Sequence, residues 1–317
     1  LKQRARAERL VELMERDGKE YSFGIFSSAE TIRDLGVDFL ARLGVYFLWL
    51  GVESKREVYE KNKGIDFHAM IRSLRDAGVG VLASGILFLE HHDHETIWED
   101  VDFMASLEAD YVQFMELGPL PRTQLYEDYR RRGLLREDVP YEEWHGQDKI
   151  WFKHEHFGRD ESARVIKAAF EREFEVNGPS LMRFFETSAR GALNLRTDTP
   201  AMARRQQQMV ERCQGYRPLL RAIELLATTP RMREQARAVT ALYNRVLGPE
   251  TALDHVKSVG AGALAVTERL RVALGRANYQ PPTLLTHYTP VADAVTAPAA
   301  RREPAALAPP VLDGAGR

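Results

Sequence analysis

Apolar positions along the chain follow two rhythms. An unbroken apolar run from Val45 to Leu50 stops at Gly51, and two residues later a carboxylate, Glu53, sits beside a hydroxyl, Ser54. Three more runs share that compact, two-sided apolar character: "YSFGIFSS" (21–28), "VGVLASGILFL" (79–89) and "YVQFMEL" (111–117). Between them the rhythm changes to helical spacing. "LKQRARAERLVELMERDG" sets Leu10, Leu13 and Met14 on one face and stops at Gly18. "AETIRDLGVDFLARLG" predicts a helix closed by Gly44, and "SKREVYEKNKG" a short charged helix capped by Ser54 and closed by Gly64. "DFHAMIRSLRDAG" predicts a helix capped by Asp66, with Phe67, Met70, Ile71 and Leu74 as its buried stripe. "HETIWEDVDFMASLEAD" and "LPRTQLYEDYRRRG" supply two more helices.

Strands without polar alternation, separated by helices, predict a parallel sheet covered on both faces in an α/β fold. Ligands of such folds bind beyond the carboxyl ends of the strands. Glu53 and Ser54 lie at such an end, although a carboxylate near a helix start can equally serve free N–H groups. Residues 159–278 read as helices, with apolar stripes suited to a small bundle packed on the α/β part. From about Gln280 the chain is rich in Pro and Ala and is expected to be disordered. The expected organisation is therefore 1–140, 141–279 and 280–317.

Composition narrows the function. A formal net charge of −2, with cations spread along the chain, provides no field for nucleic acid or anionic membrane. No apolar stretch approaches the ~18 residues of a membrane span, so none is expected. No signal peptide is visible, which makes the cytoplasm the expected compartment. The single cysteine, Cys213, excludes an internal disulfide and a multi-thiolate metal site within these 317 residues. The chain opens on a helix rather than on Met, which reads as the later part of a longer protein.

The order and spacing of "LGVES", "EVYEKNKG", "IRSLRDAGVGVLASGILFL" and "ETIWEDVDFMASLEADYVQFMELGPLPRTQLYEDYRRRGLL", over about residues 20–135, resemble the second half of a radical S-adenosylmethionine (SAM) catalytic domain. More loosely, "WHGQDKIWFKHEHF" and "EFEVNGPSLMRFFET" resemble the C-terminal region of radical SAM proteins that carry a cobalamin-binding domain. The resemblance implies a partial TIM-like (β/α) barrel, parallel strands with helices outside, followed by the helical region. It implies SAM and a [4Fe–4S] cluster as cofactors, possible cobalamin, a small-molecule substrate, and a reductant protein such as flavodoxin or ferredoxin. Three thiolates of a CxxxCxxC loop hold such a cluster, and its reductive cleavage of SAM yields the 5′-deoxyadenosyl radical. By position, Glu53 matches the family's polar residue ending the fourth barrel strand. Lys63 matches a basic residue able to pair with the SAM carboxylate, and Ser84 a polar position of the fifth strand. Catalytic residues are not assigned by the resemblance.

The departures are equally specific. The CxxxCxxC loop and the first strands are absent, and Cys213 alone cannot replace three thiolates. Phe88-Leu89-Glu90 stands where the family commonly has GFD or GLP; Arg122 and Gln124 stand for a glycine and a proline. These features imply part of a radical SAM enzyme that does not perform the chemistry alone. The alternatives are a half-barrel binding or scaffold module without the cluster, and a metal-dependent hydrolase. The last would use "EHHDHE", where His91, His92 and His94 stand among three acids. A polar loop with Asp93 as a helix cap accounts for the same residues, and no metal is expected on them. His154 and His156 are candidate substrate contacts or surface residues.

Overall fold

The computed structural model describes residues 3–56 and 59–276. The protein is α/β, with four parallel strands and eleven α-helices among the described residues. Residues 1–269 form one compact unit. Residues 270–317 form a second, of which 270–276 are described. The expectation for the tail from Gln280 lies outside the described residues.

The strands are β1 (Phe23–Ser27), β2 (Val45–Glu53), β3 (Gly80–Leu87) and β4 (Tyr111–Glu116), adjacent in chain order and parallel throughout. Before and between them run α1 (Arg4–Arg16), α2 (Ala29–Leu35), α3 (Val37–Leu43), α4 (Phe67–Asp76) and α5 (Thr96–Ser106). Strand order that never reverses means that every crossover steps the same way, so the crossover helices lie on one face of the sheet. Leu48, Leu50, Val52, Val81, Ala83 and Leu87 point to that face and are fully buried against Ile32, Leu40, Ile71, Leu74, Val101 and Met104. Gly85 lets α5 approach: a Cβ there would stand 3.1 Å from Met104 Cγ.

Two predicted helices come out differently. Gly36, at φ 83°, breaks the expected single helix into α2 and α3. The described residues of the stretch 54–64 contain no α-helix; Glu60–Asn62 make one 3₁₀ turn, and Ser54 is buried rather than capping a helix. Other signals hold. Asp66 accepts the Ala69 N–H at 2.9 Å at the start of α4. The Asp93 carboxylate accepts the N–H groups of Thr96 and Glu95 at 2.8 and 2.9 Å, which hold it down at about 2.

After β4 come α6 (Gln124–Arg131), α7 (Arg159–Asn177), α8 (Ser180–Asn194), α9 (Pro200–Leu226), α10 (Pro230–Leu247) and α11 (Ala252–Ala273). The cap of α7 is Gly158, whose N–H donates to Glu161 at 3.2 Å. Helix α7 covers β4, with Phe170 edge-on to Phe114 at 5.2 Å. Cys213 is fully buried among Phe185, Leu220 and Tyr243, and burial pushes its thiol up to about 11. No helix among the described residues is long and apolar enough to cross a membrane.

Beneath the sheet, a buried polar network joins α4, the turn before β4, α7 and α8. Asp110 accepts Val81 N–H at 2.7 Å and Thr187 Oγ1 at 2.6 Å. Arg75 donates to Thr187 Oγ1 at 2.9 Å and to the Glu108 carbonyl at 2.9 Å. Arg183 donates to the carbonyls of Ala109 (2.7 Å) and Gly178 (2.8 Å) and to Glu173 at 2.6 Å.

Candidate functional site on the open sheet face

Contrary to the expectation of cover on both faces, the second face of the sheet carries no helical layer over its C-terminal half among the described residues. Most of its strand residues are half-buried, although Gly80 and Ser84 are buried, and Phe26 is 75% exposed. At the N-terminal end of the strands this face is closed by α8, whose Phe184 stands 6.4 Å from Phe47 and 5.9 Å from Tyr111. The face is thus a trough, shut below and open towards the strand C-termini.

Strand register orders its floor into rows. The lower row is Phe26–Trp49–Leu82–Tyr111, with the Phe26 and Trp49 rings stacked at 4.6 Å. The next row is Gly51–Ser84–Gln113, where Ser84 Oγ donates to Gln113 Oε1 at 3.4 Å. The Glu53 carboxylate occupies the space above Gly51: a Cβ on Gly51 would lie 2.6 Å from Glu53 Oε1 and 3.6 Å from Lys61 Nζ. The Lys61 ammonium donates to Glu53 Oε1 at 2.5 Å. A carboxylate, an ammonium, a hydroxyl and an amide therefore share one row above an aromatic floor.

Backbone geometry produces this placement. The pairing of β2 and β3 slips between Gly51 and Glu53, and Glu53 takes a left-handed φ of 72°. Such a conformation is costly for a residue with a side chain. Here it folds the carboxylate back over the sheet. The 3₁₀ turn that replaces the predicted helix then sets the cations. Asn62 points inward, donating to the Val52 carbonyl at 2.7 Å, and leaves its Oδ1 buried without a partner. Lys61 turns to Glu53, whereas Lys63 is 71% exposed and lies 3.7 Å from Glu60. Of the three residues expected to converge, Glu53 and Ser84 do; the cation beside them is Lys61 rather than Lys63.

Asp100, which the sequence reading passed over, organises the rim. It accepts the Lys55 N–H at 2.7 Å and His92 Nε2–H at 2.9 Å, and the Ser54 hydroxyl also bonds to it. Burial raises its pKa, but these hydrogen bonds outweigh burial and hold the carboxyl below its ordinary value. His91, His92 and Asp100 bring ligand atoms within 4.8 Å of one another. His92 nonetheless has both ring nitrogens committed: Nδ1 accepts the Leu89 N–H at 3.0 Å, so Nε2 carries the proton donated to Asp100. Binding a metal through Nε2 would require moving that proton to Nδ1, against the Leu89 N–H.

The remaining histidines divide. His94 is exposed beside Glu161. His154 donates from Nε2 to the Leu89 carbonyl at 3.0 Å and accepts the His156 N–H at 3.2 Å. Burial pushes the pKa of both His91 and His154 down.

Glu116, at the C-terminal end of β4, is 3% exposed, and neither carboxyl oxygen has a hydrogen-bond partner. Burial, reinforced by Asp148 and only partly offset by Arg159, raises its pKa to about 8. Arg122, standing where the related pattern has glycine, adopts φ 68° with an exposed side chain. Arg122→Gly is expected to stabilise the fold by about 0.5–1 kcal/mol, measured by chemical denaturation. A destabilised variant would mean that the side chain has a structural role.

No protein-family model and no curated protein sequence matches this chain.

Proposed function

We propose that the chain is the C-terminal part of a radical SAM catalytic domain, in which its sheet forms half of a (β/α) barrel and the trough contributes to the SAM site. The observation that carries this reading is the row Glu53–Lys61–Ser84–Gln113 on the uncovered sheet face, at the carboxyl ends of parallel strands. An unreversed strand order with helices on one side also suits a barrel segment better than a doubly wound sheet.

The donor set fits SAM. Glu53 accepts from ribose hydroxyls or an ammonium, Lys61 pairs with a carboxylate, and Ser84 and Gln113 supply neutral hydrogen bonds. Phe26 and Trp49 offer a flat apolar surface. SAM, if bound, would supply radical chemistry on reductive cleavage, and these residues would bind and orient it. The donor set does not fit a [4Fe–4S] cluster. The only thiol is Cys213, fully buried in the helical region and held protonated at neutral pH. No residue of this chain is assigned to cobalamin. The single cysteine also supports a second reading, a half-barrel binding module that works without the cluster. The hydrolase reading has less support, because His92 is already committed on both sides.

Anaerobic reconstitution separates these readings. The 317-residue chain is expected to retain no four-iron cluster and to form no 5′-deoxyadenosine. Both should appear when a polypeptide carrying CxxxCxxC and the complementary strands is supplied, and Glu53→Ala should then weaken SAM binding by about 1–3 kcal/mol. SAM cleavage by the chain alone would refute the proposal. SAM binding without cleavage in the complemented protein would favour the binding module.

A further inference from the structure

Helix α11 stands apart from the site and from the core that supports it. Of its 22 residues only Ser258 is buried, and its N-terminal turn is tied down by Asp254, 3.8 Å from Arg217. No charged residue falls between Ser258 and Thr267, and that segment is nonetheless exposed. Isolated helices are marginal in water, and most draw their stability from packing an apolar face. A contiguous exposed apolar surface of this kind marks an interaction site.

The apolar surface has two faces. One closes a groove of about 730 Å³ against the end of α9, lined by Leu225 and Leu226 of α9 and by Val259, Gly262, Ala263 and Val266 of α11. The other carries Leu253, Val256, Gly260 and Leu264 at i, i+3, i+7 and i+11, with Leu253, Val256 and Leu264 at least 60% exposed. A Cβ on Gly260 or Gly262 would meet nothing within 4 Å, so another helix can approach closely at both.

We propose that two copies of the chain pair about a two-fold axis, the Leu253–Val256–Leu264 face of each α11 entering the α9–α11 groove of the other. One chain carries both the groove and a helix face to fill it, which is the requirement for an isologous contact. The area is that of a modest specific contact. The 12 residues Leu253–Leu264 span about 18 Å of a helix about 10 Å across. Half-covering them hides about 280 Å² of helix wall and a comparable area of groove. Because the contact is made twice, each protomer buries about 550 Å², roughly 1,100 Å² in all, at the lower end of specific interfaces. The inference does not depend on the radical SAM reading.

Sedimentation velocity of the 317-residue chain at ~20 μM tests it. The wild type should sediment as twice 36.1 kDa. Val259→Glu, in the groove, and Leu264→Arg, on the inserted face, should each raise the dimer dissociation constant at least ~30-fold, roughly the effect of 2 kcal/mol. Both positions are at least 70% exposed, so helix content by circular dichroism should not change. Mixing the two variants should restore a dimer, because one inserted face meets an intact groove and the other contact brings Glu opposite Arg. A monomeric wild type, a dimer indifferent to both substitutions, or failure of the mixture to associate would each overturn the proposal. So would a monomer that floats with neutral phosphatidylcholine vesicles, which would make lipid the occupant.

Discussion

Arg183→Met is expected to destabilise the fold by about 3–5 kcal/mol, the usual cost of breaking a buried ion pair from one side. Arg183 is 6% exposed and Glu173 5%. Removing the guanidinium leaves Glu173 with only the Asn177 amide at 3.1 Å, and leaves the Ala109 and Gly178 carbonyls without this donor. Burial pushes Asp110 up and Arg183 down, so desolvation opposes both charges here and neither can lose its partners cheaply. The double variant Arg183→Met/Glu173→Met should recover most of the loss, because no lone buried charge remains. Urea denaturation measures both. A single variant within about 1 kcal/mol of wild type would show that the network contributes specificity rather than stability.

The second large effect is a pH dependence centred on Glu116. Its carboxyl titrates near 4.5 when unfolded and near 8 when folded. The folded state therefore holds a proton that the unfolded state has lost. Its contribution is complete below pH 4.5, declines as pH rises, and is lost above pH 8. A shift of this size corresponds to about 5 kcal/mol as an upper figure. Stability should therefore fall between about pH 5 and pH 8 in the wild type, and Glu116→Gln should flatten that slope. An unchanged slope in the variant would mean that Glu116 ionises freely in the fold.

Local signals carried much of the architecture. The apolar runs 45–50 and 79–89 became the central parallel strands β2 and β3, and Asp66 and Asp93 cap as short polar side chains do wherever N–H groups are free. Failures arose where distant residues decided the outcome. Ser54 would cap a helix on local rules, but Asp100, from another crossover helix, takes its hydroxyl. Lys61 and Lys63 are indistinguishable in "EKNKG"; which one reaches Glu53 depends on Asn62 bonding the end of β2. Glu116 ends "YVQFMEL" like any strand-end acid, and the residues that charge its surroundings, Asp148 and Arg159, come from far along the chain. Glu116 left a faint trace, a polar residue at a strand end, that sequence alone could not rank.

The account rests on the trough as a SAM site, and ¹⁵N NMR of the 317-residue chain titrated with SAM addresses that directly. Side-chain contacts worth about 1 kcal/mol each, offset by the freedom lost on association, place the affinity near ~1 mM without a cluster. The Trp49 indole N–H, the Gln113 side-chain amide and the backbone amides of Gly51 and Ser84 should shift together along one saturating curve, and Glu53→Ala should abolish the shifts. Saturable shifts confined to other residues, or none in the trough at several millimolar SAM, would contradict the assignment.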